Sequence, residues 1–175
     1  RMSPMIRLQM SNDLRQTFQQ LFEAPPQAYA FLQGNPAYPD LWGEALMYPC
    51  WGGTLFFAEV QGLPQNPGPC KRDIYGFHIH TNPSCSGTPD SPFAYVGPHW
   101  DMEDCPHPAH TGDLPPLFAS CGYALTLFYT RRFLPEETVG HTLIIHSAVD
   151  DFTTQPSGAP GEMIACGQIL ANESI

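Results

Sequence analysis

The sequence is poor in charge, and in positive charge most of all. Only 14% of its 175 residues are charged, and 17 acidic residues against seven lysines and arginines give a formal net charge of −10. The largest basic clusters are Lys71 with Arg72 and Arg131 with Arg132, far short of the basic patch that nucleic-acid binding requires. We therefore expect no nucleic acid among the ligands.

Long apolar runs, the heptad repeats of a coiled coil and closely spaced cysteine pairs are also missing. No run approaches the roughly 18 apolar residues of a transmembrane helix, so no membrane span is expected. No segment has the basic start, apolar stretch and cleavage site of a signal peptide, which favours the cytoplasm over a secreted or periplasmic location. The six cysteines include no C-x-x-C pair, which argues against a zinc ribbon or a thioredoxin-type site.

Glycine and proline are abundant instead, with 15 and 20 residues, so turns should be frequent and long helices few. Short segments with strand character alternate with these turns, a pattern typical of an antiparallel sandwich or barrel. The predicted strands are 28–34, 44–48, 53–63, 74–80, 123–130, 141–149 and 161–170. The stretch from Thr81 to Leu117 has little strand character, and a loop of that length is usually functional.

The first 26 residues differ from the rest, and we divide the chain into an extension at 1–26 and a domain at 27–175. A cap at Ser11–Asp13 precedes a predicted helix, which Pro25 ends. Its apolar face comprises Leu14, Phe18, Leu21 and Phe22. This helix either packs on the surface of the domain or binds a partner.

All seven histidines lie between residues 78 and 146. His78 and His80 occupy alternate positions of a predicted strand, so both project from one face, about 7 Å apart. Such a pair can meet on one metal, although it can also stand on a solvent-exposed face without a function. If the strand that His146 ends is a neighbour, the three imidazoles form a site of the kind that copper prefers.

A second set of candidate ligands lies in the long loop and comprises His99, His107, His110 and Asp113. Three imidazoles and one carboxylate make a closed four-ligand set that suits zinc. Metal binding contributes folding free energy, so zinc would also explain how this irregular loop becomes ordered. His141 belongs to neither set and is predicted to be a surface histidine.

Five segments in the order GFHIH, GPHW, HTGDLPPL, TLIIHSAVDD and IACGQI resemble the copper,zinc superoxide dismutase family. The likeness runs from about residue 27 to the last residue. It implies an all-β, eight-stranded Greek-key barrel or sandwich of immunoglobulin-like type, with two long loops over the metals. It also implies the family's reaction, in which superoxide becomes dioxygen and hydrogen peroxide at copper.

The resemblance assigns roles to individual residues. The copper ligands that it implies are His78, His80, His99 and His146. The zinc ligands that it implies are His99, His107, His110 and Asp113. His99 would bridge both metals as an imidazolate and carry a proton, which makes it the catalytic residue together with His146.

Four further residues take their expected roles from the same resemblance. Asp150 would link a copper-ligand and a zinc-ligand imidazole by hydrogen bonds, unless it is a plain loop carboxylate. Cys85 and Cys166 match the family's intrasubunit disulfide. Met163 stands where the family has an arginine that attracts superoxide, so the guiding charge is missing here.

The remaining cysteines and the oligomeric state stay open. Cys50 and Cys70 flank one predicted strand and should lie too far apart to pair. By the family's topology Cys70 and Cys121 share one end of the barrel and could form a bridge. The alternative is that Cys50, Cys70, Cys105 and Cys121 are free buried thiols. Many relatives are dimers, so a homodimer is among the expectations.

Two functions compete. One is a copper- and zinc-dependent dismutase, which the complete ligand set favours. The other is a related protein that stores or delivers copper or zinc with little dismutase activity, which Met163 favours.

Overall fold

The computed structural model describes residues 15–70 and 72–173. Residues 15–23 are helical, and a 3-10 helix spans Pro135–Thr138. The strands are β1 (Ala28–Gly34), β2 (Trp42–Cys50), β3 (Gly53–Gln61), β4 (Ile74–Tyr75), β5 (Phe77–His80), β6 (Leu117–Ser120), β7 (Tyr123–Thr130), β8 (Thr142–His146) and β9 (Met163–Ala171). The predicted cap at Ser11–Asp13 and the apolar position Leu14 lie outside the described residues.

The strands form one antiparallel sheet in the order β4-β6-β7-β3-β2-β1-β9-β8-β5. β4 and β5 are at opposite ends of this order, yet only Gly76 separates them in the chain. The sheet therefore curls back on itself into a nearly closed barrel. With β4 and β5 counted as one interrupted strand, the nine strands become eight, and the predicted Greek-key β-barrel is confirmed.

Gly76 marks the interruption for a steric reason. A Cβ atom at this position would lie 2.7 Å from the Cβ of Pro160 and 3.3 Å from that of His146. The absence of a side chain therefore lets the interrupted strand pass close to the segment that follows β8.

One strand was not predicted, and four of the predicted strands, those at 44–48, 53–63, 141–149 and 161–170, have different ends. β6 has only four residues, directly follows a pair of prolines and exposes Phe118, so it lacks a recognisable alternation. The strand predicted at 44–48 extends over Trp42–Cys50. The strand predicted at 141–149 ends at His146, where its pairing with β9 becomes irregular.

Every residue of β5 and β8 is buried, because each strand is covered on both faces. One face points into the barrel core, where Phe77, Ile79, Leu143 and Ile145 pack. The alternate residues face the long loop, and this set includes His78, His80 and His146. The two-residue period of the strands thus places three histidines on one covered face.

The helix at 15–23 packs on the outside of the barrel. Phe18 and Leu21 contact the buried cluster of Tyr48, Cys50 and Leu55. This arrangement agrees with the packed alternative for the extension. Among the described residues, no helix has the length and apolar character to cross a membrane.

Candidate metal centre

Four imidazoles meet where β5 and β8 run side by side. His78 pairs with Ile144 and His80 with Thr142. The ring of His146, at the end of β8, has its centroid 5.0 Å from that of His78 and 5.6 Å from that of His80. His99, on the long loop, forms an isolated bridge with His80. One ring nitrogen from each of His78, His80, His99 and His146 lies within 4.8 Å of the others. We call these residues the four-histidine group.

A second group consists of His99, His107, His110 and Asp113, whose ligand atoms also lie within 4.8 Å of one another. The Asp113 carboxylate is 2.7 Å from Nδ1 of His99, 3.1 Å from Nδ1 of His107 and 3.0 Å from Nδ1 of His110. Three Nδ1 atoms therefore converge on one carboxylate. We call these residues the His₃Asp group, and all four come from the loop between β5 and β6.

His99 belongs to both groups and uses a different nitrogen in each. Its Nδ1 lies 2.7 Å from Oδ1 of Asp113, whereas its Nε2 is buried without a hydrogen-bond partner and is the nitrogen left for the four-histidine group. The predicted shared position of His99 is therefore present in the geometry.

Hydrogen bonds at the far ring nitrogens orient the other imidazoles. His80 Nδ1 lies 2.7 Å from the carbonyl oxygen of Gly97, and His146 Nδ1 lies 3.3 Å from that of Gly161. A carbonyl only accepts, so each Nδ1 carries the proton and each Nε2 keeps a free lone pair. Both rings therefore point a lone pair into the four-histidine group.

Asp150 orients one imidazole of each group in the same way, by hydrogen bonds at the far ring nitrogen. Its carboxylate lies 2.6 Å from Nε2 of His78 and 2.9 Å from Nε2 of His107. Both nitrogens donate to it, which leaves Nδ1 of each ring free. The expected link between the two groups is thus seen as a pair of short, buried contacts, and a plain loop carboxylate would not make them.

Five buried ring nitrogens have no hydrogen-bond partner: His78 Nδ1, His80 Nε2, His99 Nε2, His107 Nδ1 and His146 Nε2. Buried polar atoms are normally paired, since an unpaired one is costly. All five belong to the two groups. Together they form a set of imidazole nitrogen donors of the kind that copper and zinc prefer. The residues present therefore fit two metal ions.

Three rings of the four-histidine group, those of His78, His80 and His146, are kept neutral by their surroundings. Burial lowers the pKa of His80 to about 4 and the pKa of His146 to about 3. Burial, reinforced by the neighbouring imidazoles, holds the pKa of His78 far below its usual range. A neutral imidazole is the form that binds a metal, so these three rings are ready to do so at neutral pH.

Asp113 is likewise in its binding form. Burial opposes ionisation, but the hydrogen bond from His99 and the imidazoles around it outweigh burial and lower the pKa of Asp113 below its usual value. The carboxylate is therefore charged at neutral pH and available to a cation.

The model of the copper/zinc superoxide dismutase family matches residues 52–169 of the chain, a span that includes every member of both groups. The chain belongs to the copper/zinc superoxide dismutase family. Copper and zinc are accordingly the cofactors that its ancestry and its two histidine-rich groups support.

Bacterial copper/zinc superoxide dismutases are among the similar curated proteins. The enzyme of Deinococcus radiodurans is 34% identical over 147 residues, which cover 74% of this chain and 77% of the relative. The dismutase numbered 1 of Salmonella typhimurium is 36% identical over 132 residues, or 67% of this chain and 71% of the relative. That of Photobacterium leiognathi is 32% identical, with 67% and 72% covered.

The cysteines follow the family in one respect. Cys85 and Cys166 form the predicted disulfide, with Cα atoms 5.8 Å apart, and this bond ties the long loop to β9. Cys50, Cys70, Cys105 and Cys121 are free. The suggested bridge between Cys70 and Cys121 is not formed, and both are exposed, so the buried-thiol alternative holds for Cys50 alone.

The predicted surface residue His141 is partly covered in the structure. Its ring stacks on Trp100, with ring centroids 4.5 Å apart, and its Nδ1 lies 2.7 Å from the carbonyl oxygen of Thr81. The residue is half-buried because the long loop folds back over the start of β8. It remains outside both metal-binding groups.

Two residues that support the site were missed by the sequence analysis. The amide of Gln155 bonds the backbone of His107 twice, accepting from its N–H at 3.0 Å and donating to its carbonyl at 2.6 Å. Gly158 has a positive φ of 75°, and a Cβ there would lie 2.0 Å from Oδ1 of Asp150. Gly158 therefore makes room for the contact between Asp150 and His107.

A cavity of about 820 Å³ leads from solvent to the centre and is bordered by His80, His99, His110 and His146. Met163, Asp90 and Glu162 lie on its wall. Among the described residues that line it, none is a lysine or an arginine. The approach to the four-histidine group is thus acidic and partly apolar.

Proposed function

We propose that this protein is a superoxide dismutase that converts two superoxide ions and two protons to dioxygen and hydrogen peroxide. In this proposal the copper ligands are His78, His80, His99 and His146. The zinc ligands are His99, His107, His110 and Asp113. Family membership supports the reaction class, and the observation that supports this assignment best is the use of the two nitrogens of His99 by different groups.

The assignment of copper to one group and of zinc to the other follows from the ligands that each group offers. Copper supplies a one-electron redox couple when bound, which zinc lacks. The four-histidine group suits copper because it offers imidazoles alone and supplies three of the four histidines that border the cavity, His80, His99 and His146. The His₃Asp group suits zinc because it is a closed set of four ligands.

His99 is the residue that we assign to proton transfer. Its Nδ1 is fixed toward Asp113, while its Nε2 has no protein partner. An imidazole held at Nδ1 could accept a proton at Nε2 whenever Nε2 is not serving as a metal ligand, and could release it again without moving the ring. The proton that dismutation consumes can therefore pass through an atom next to the reacting centre.

Asp150 is the residue that we assign to orientation. Its two contacts keep Nε2 of His78 and of His107 protonated, so the lone pairs at Nδ1 stay directed at their groups. The carboxylate is almost fully buried, so water competes little for these hydrogen bonds.

The wall of the cavity does not favour the substrate. Superoxide is an anion, and Asp90 and Glu162 repel it, whereas Met163 has no charge to attract it. Favourable steering can raise association rates by one to three orders of magnitude. We therefore propose that the reaction proceeds without such steering and is slower than in relatives that have it.

The decisive experiment is to load the protein with copper and zinc, confirm both by elemental analysis, and follow superoxide decay. We expect decay well above that of buffer and of the metal-free protein. Full copper occupancy with decay no faster than buffer would exclude the dismutase.

Metal storage or delivery is the second candidate, and the acidic cavity favours it. Carboxylates at Asp90 and Glu162 attract cations, and the thioether of Met163 is a soft donor that suits Cu(I). Copper that leaves rapidly to a competing chelator, together with negligible superoxide decay, would support this candidate. Copper that is retained while superoxide decays would support the dismutase.

A further inference from the structure

Arg132 makes three contacts with the backbone of the long loop. It follows β7, and its Nη1 lies 3.1 Å from the carbonyl oxygen of His110 and 3.2 Å from that of Asp113. A longer contact of 3.4 Å reaches the carbonyl oxygen of Pro108. Its own backbone N–H donates to the hydroxyl of Thr130 at 3.1 Å, which fixes where the side chain starts.

These contacts fall on the two ends of one turn. His110 and Asp113 are three residues apart, and the N–H of Asp113 donates to the carbonyl of His110 at 3.2 Å. Both residues belong to the His₃Asp group. A single guanidinium nitrogen therefore holds the backbone of two candidate ligands at once.

The choice of acceptor matters for metal binding. Arg132 bonds the carbonyl of Asp113, whereas the carboxylate of Asp113 faces the three imidazoles. A guanidinium on the carboxylate would compete with a metal for the same oxygens. On the carbonyls, the cation orients the turn and leaves every ligand atom free.

We propose that Arg132 is a positioning residue for the His₃Asp group, holding the turn from His110 to Asp113 so that both ligands face one ion. This role rests on the proposed function, because it presumes that the group binds a metal. Arg131 serves as a matched control, because it is the adjacent exposed arginine and its replacement removes the same charge.

The test uses cobalt(II), which reports its ligand geometry through visible absorption bands, on protein whose four-histidine group is already loaded with copper. Arg132→Gln should weaken cobalt binding about ten- to hundredfold and change these bands. Arg131→Gln should do neither, and Arg132→Lys, which keeps a cationic donor, should recover part of the affinity. Copper binding should be the same in all variants.

The outcomes separate this role from the proposed function. Equal cobalt affinity and equal spectra for Arg132→Gln and Arg131→Gln would overturn the role of Arg132 alone. Loss of copper and cobalt together in Arg132→Gln would also overturn it, because Arg132 would then support the fold in general. If the unaltered protein binds no cobalt at this group, both the role and the proposed function are wrong.

Discussion

The two metal-binding groups share His99 but are held by different parts of the molecule. Three of the four residues of the four-histidine group stand on β5 and β8, which pair residue by residue and pack into the core. All four residues of the His₃Asp group stand on a loop, and between His80 and Leu117 the described residues form isolated bridges but no strand.

The difference shows what each group depends on. The geometry of the four-histidine group follows from the barrel itself, because strand pairing and alternation fix where its side chains point. The His₃Asp group depends on separate ties to its loop, which are the Cys85–Cys166 disulfide, the amide of Gln155, the carboxylate of Asp150 and the guanidinium of Arg132. Metal binding should therefore matter more for the order of the loop than for that of the strands.

Replacement of the shared ligand should have the largest effect, since it tests whether the groups are one centre. We expect His99→Ala to weaken the binding of both metals and to abolish superoxide decay, because each group loses a ligand. Metal content after dialysis against a chelator measures the first effect. His141→Ala, which removes an imidazole outside both groups, is the control. Loss of one metal with full retention of the other would show that His99 does not bridge them.

Removal of the disulfide should loosen the loop while the strands persist. Cys85→Ser should lower the free energy of unfolding by about 2–5 kcal/mol, as is typical for a native disulfide. Denaturant unfolding measures this loss, and hydrogen exchange should show faster exchange in the loop than in β5 and β8. Cys105→Ser, at a free cysteine of the same loop, is the control. Equal acceleration in loop and strands would contradict the contrast drawn above.

The four-histidine group, which stands mainly on strands, was the more predictable of the two groups from the sequence. Alternation alone places His78 and His80 on one face, whereas the neighbouring position of β8 and the approach of His99 from the loop had to be learned from the structure. The His₃Asp ligands were recognisable by residue type and by family likeness. Spacing along an irregular loop does not determine how its ligands fold together.

The supporting residues were the least predictable. Gln155 and Arg132 act through the backbone carbonyls and N–H groups of residues far away in the chain, and such contacts leave no pattern in the sequence. Gly158 is needed only because Asp150 and His107 approach it in space. β6 was missed for a similar reason, since a four-residue strand after two prolines is recognised by its partner strands, β4 and β7.

Loss of the carboxylate between the groups should have an intermediate effect on both. We expect Asp150→Ala to weaken binding of each metal about ten- to hundredfold, as is typical when the partner of a ligating histidine is removed. Competition titrations with a chelating dye measure the two affinities. Glu103→Gln, at an exposed carboxylate of the long loop between β5 and β6, controls for the lost charge. A change confined to one metal would show that Asp150 orients the ring of one group only.

Addition of a cation at the cavity wall should have the smallest effect and should act on the four-histidine group alone. We expect Met163→Arg to speed superoxide decay about three- to tenfold at low salt, because a local positive charge attracts the anion. The gain should shrink as salt rises, since the screening length falls to about 10 Å at 0.1 M. Zinc content should not change, because Met163 borders the cavity and belongs to neither group.

Met163→Gln, which is similar in length but uncharged, separates charge from shape. It should keep the salt dependence of the unaltered protein, whereas Met163→Arg should show a rate that falls with ionic strength. If the two variants respond alike to salt with both metals bound, position 163 does not face the path of the substrate. The carboxylates of Asp90 and Glu162 would then be the groups that limit the approach of superoxide. Glu162→Gln would in that case be expected to speed superoxide decay.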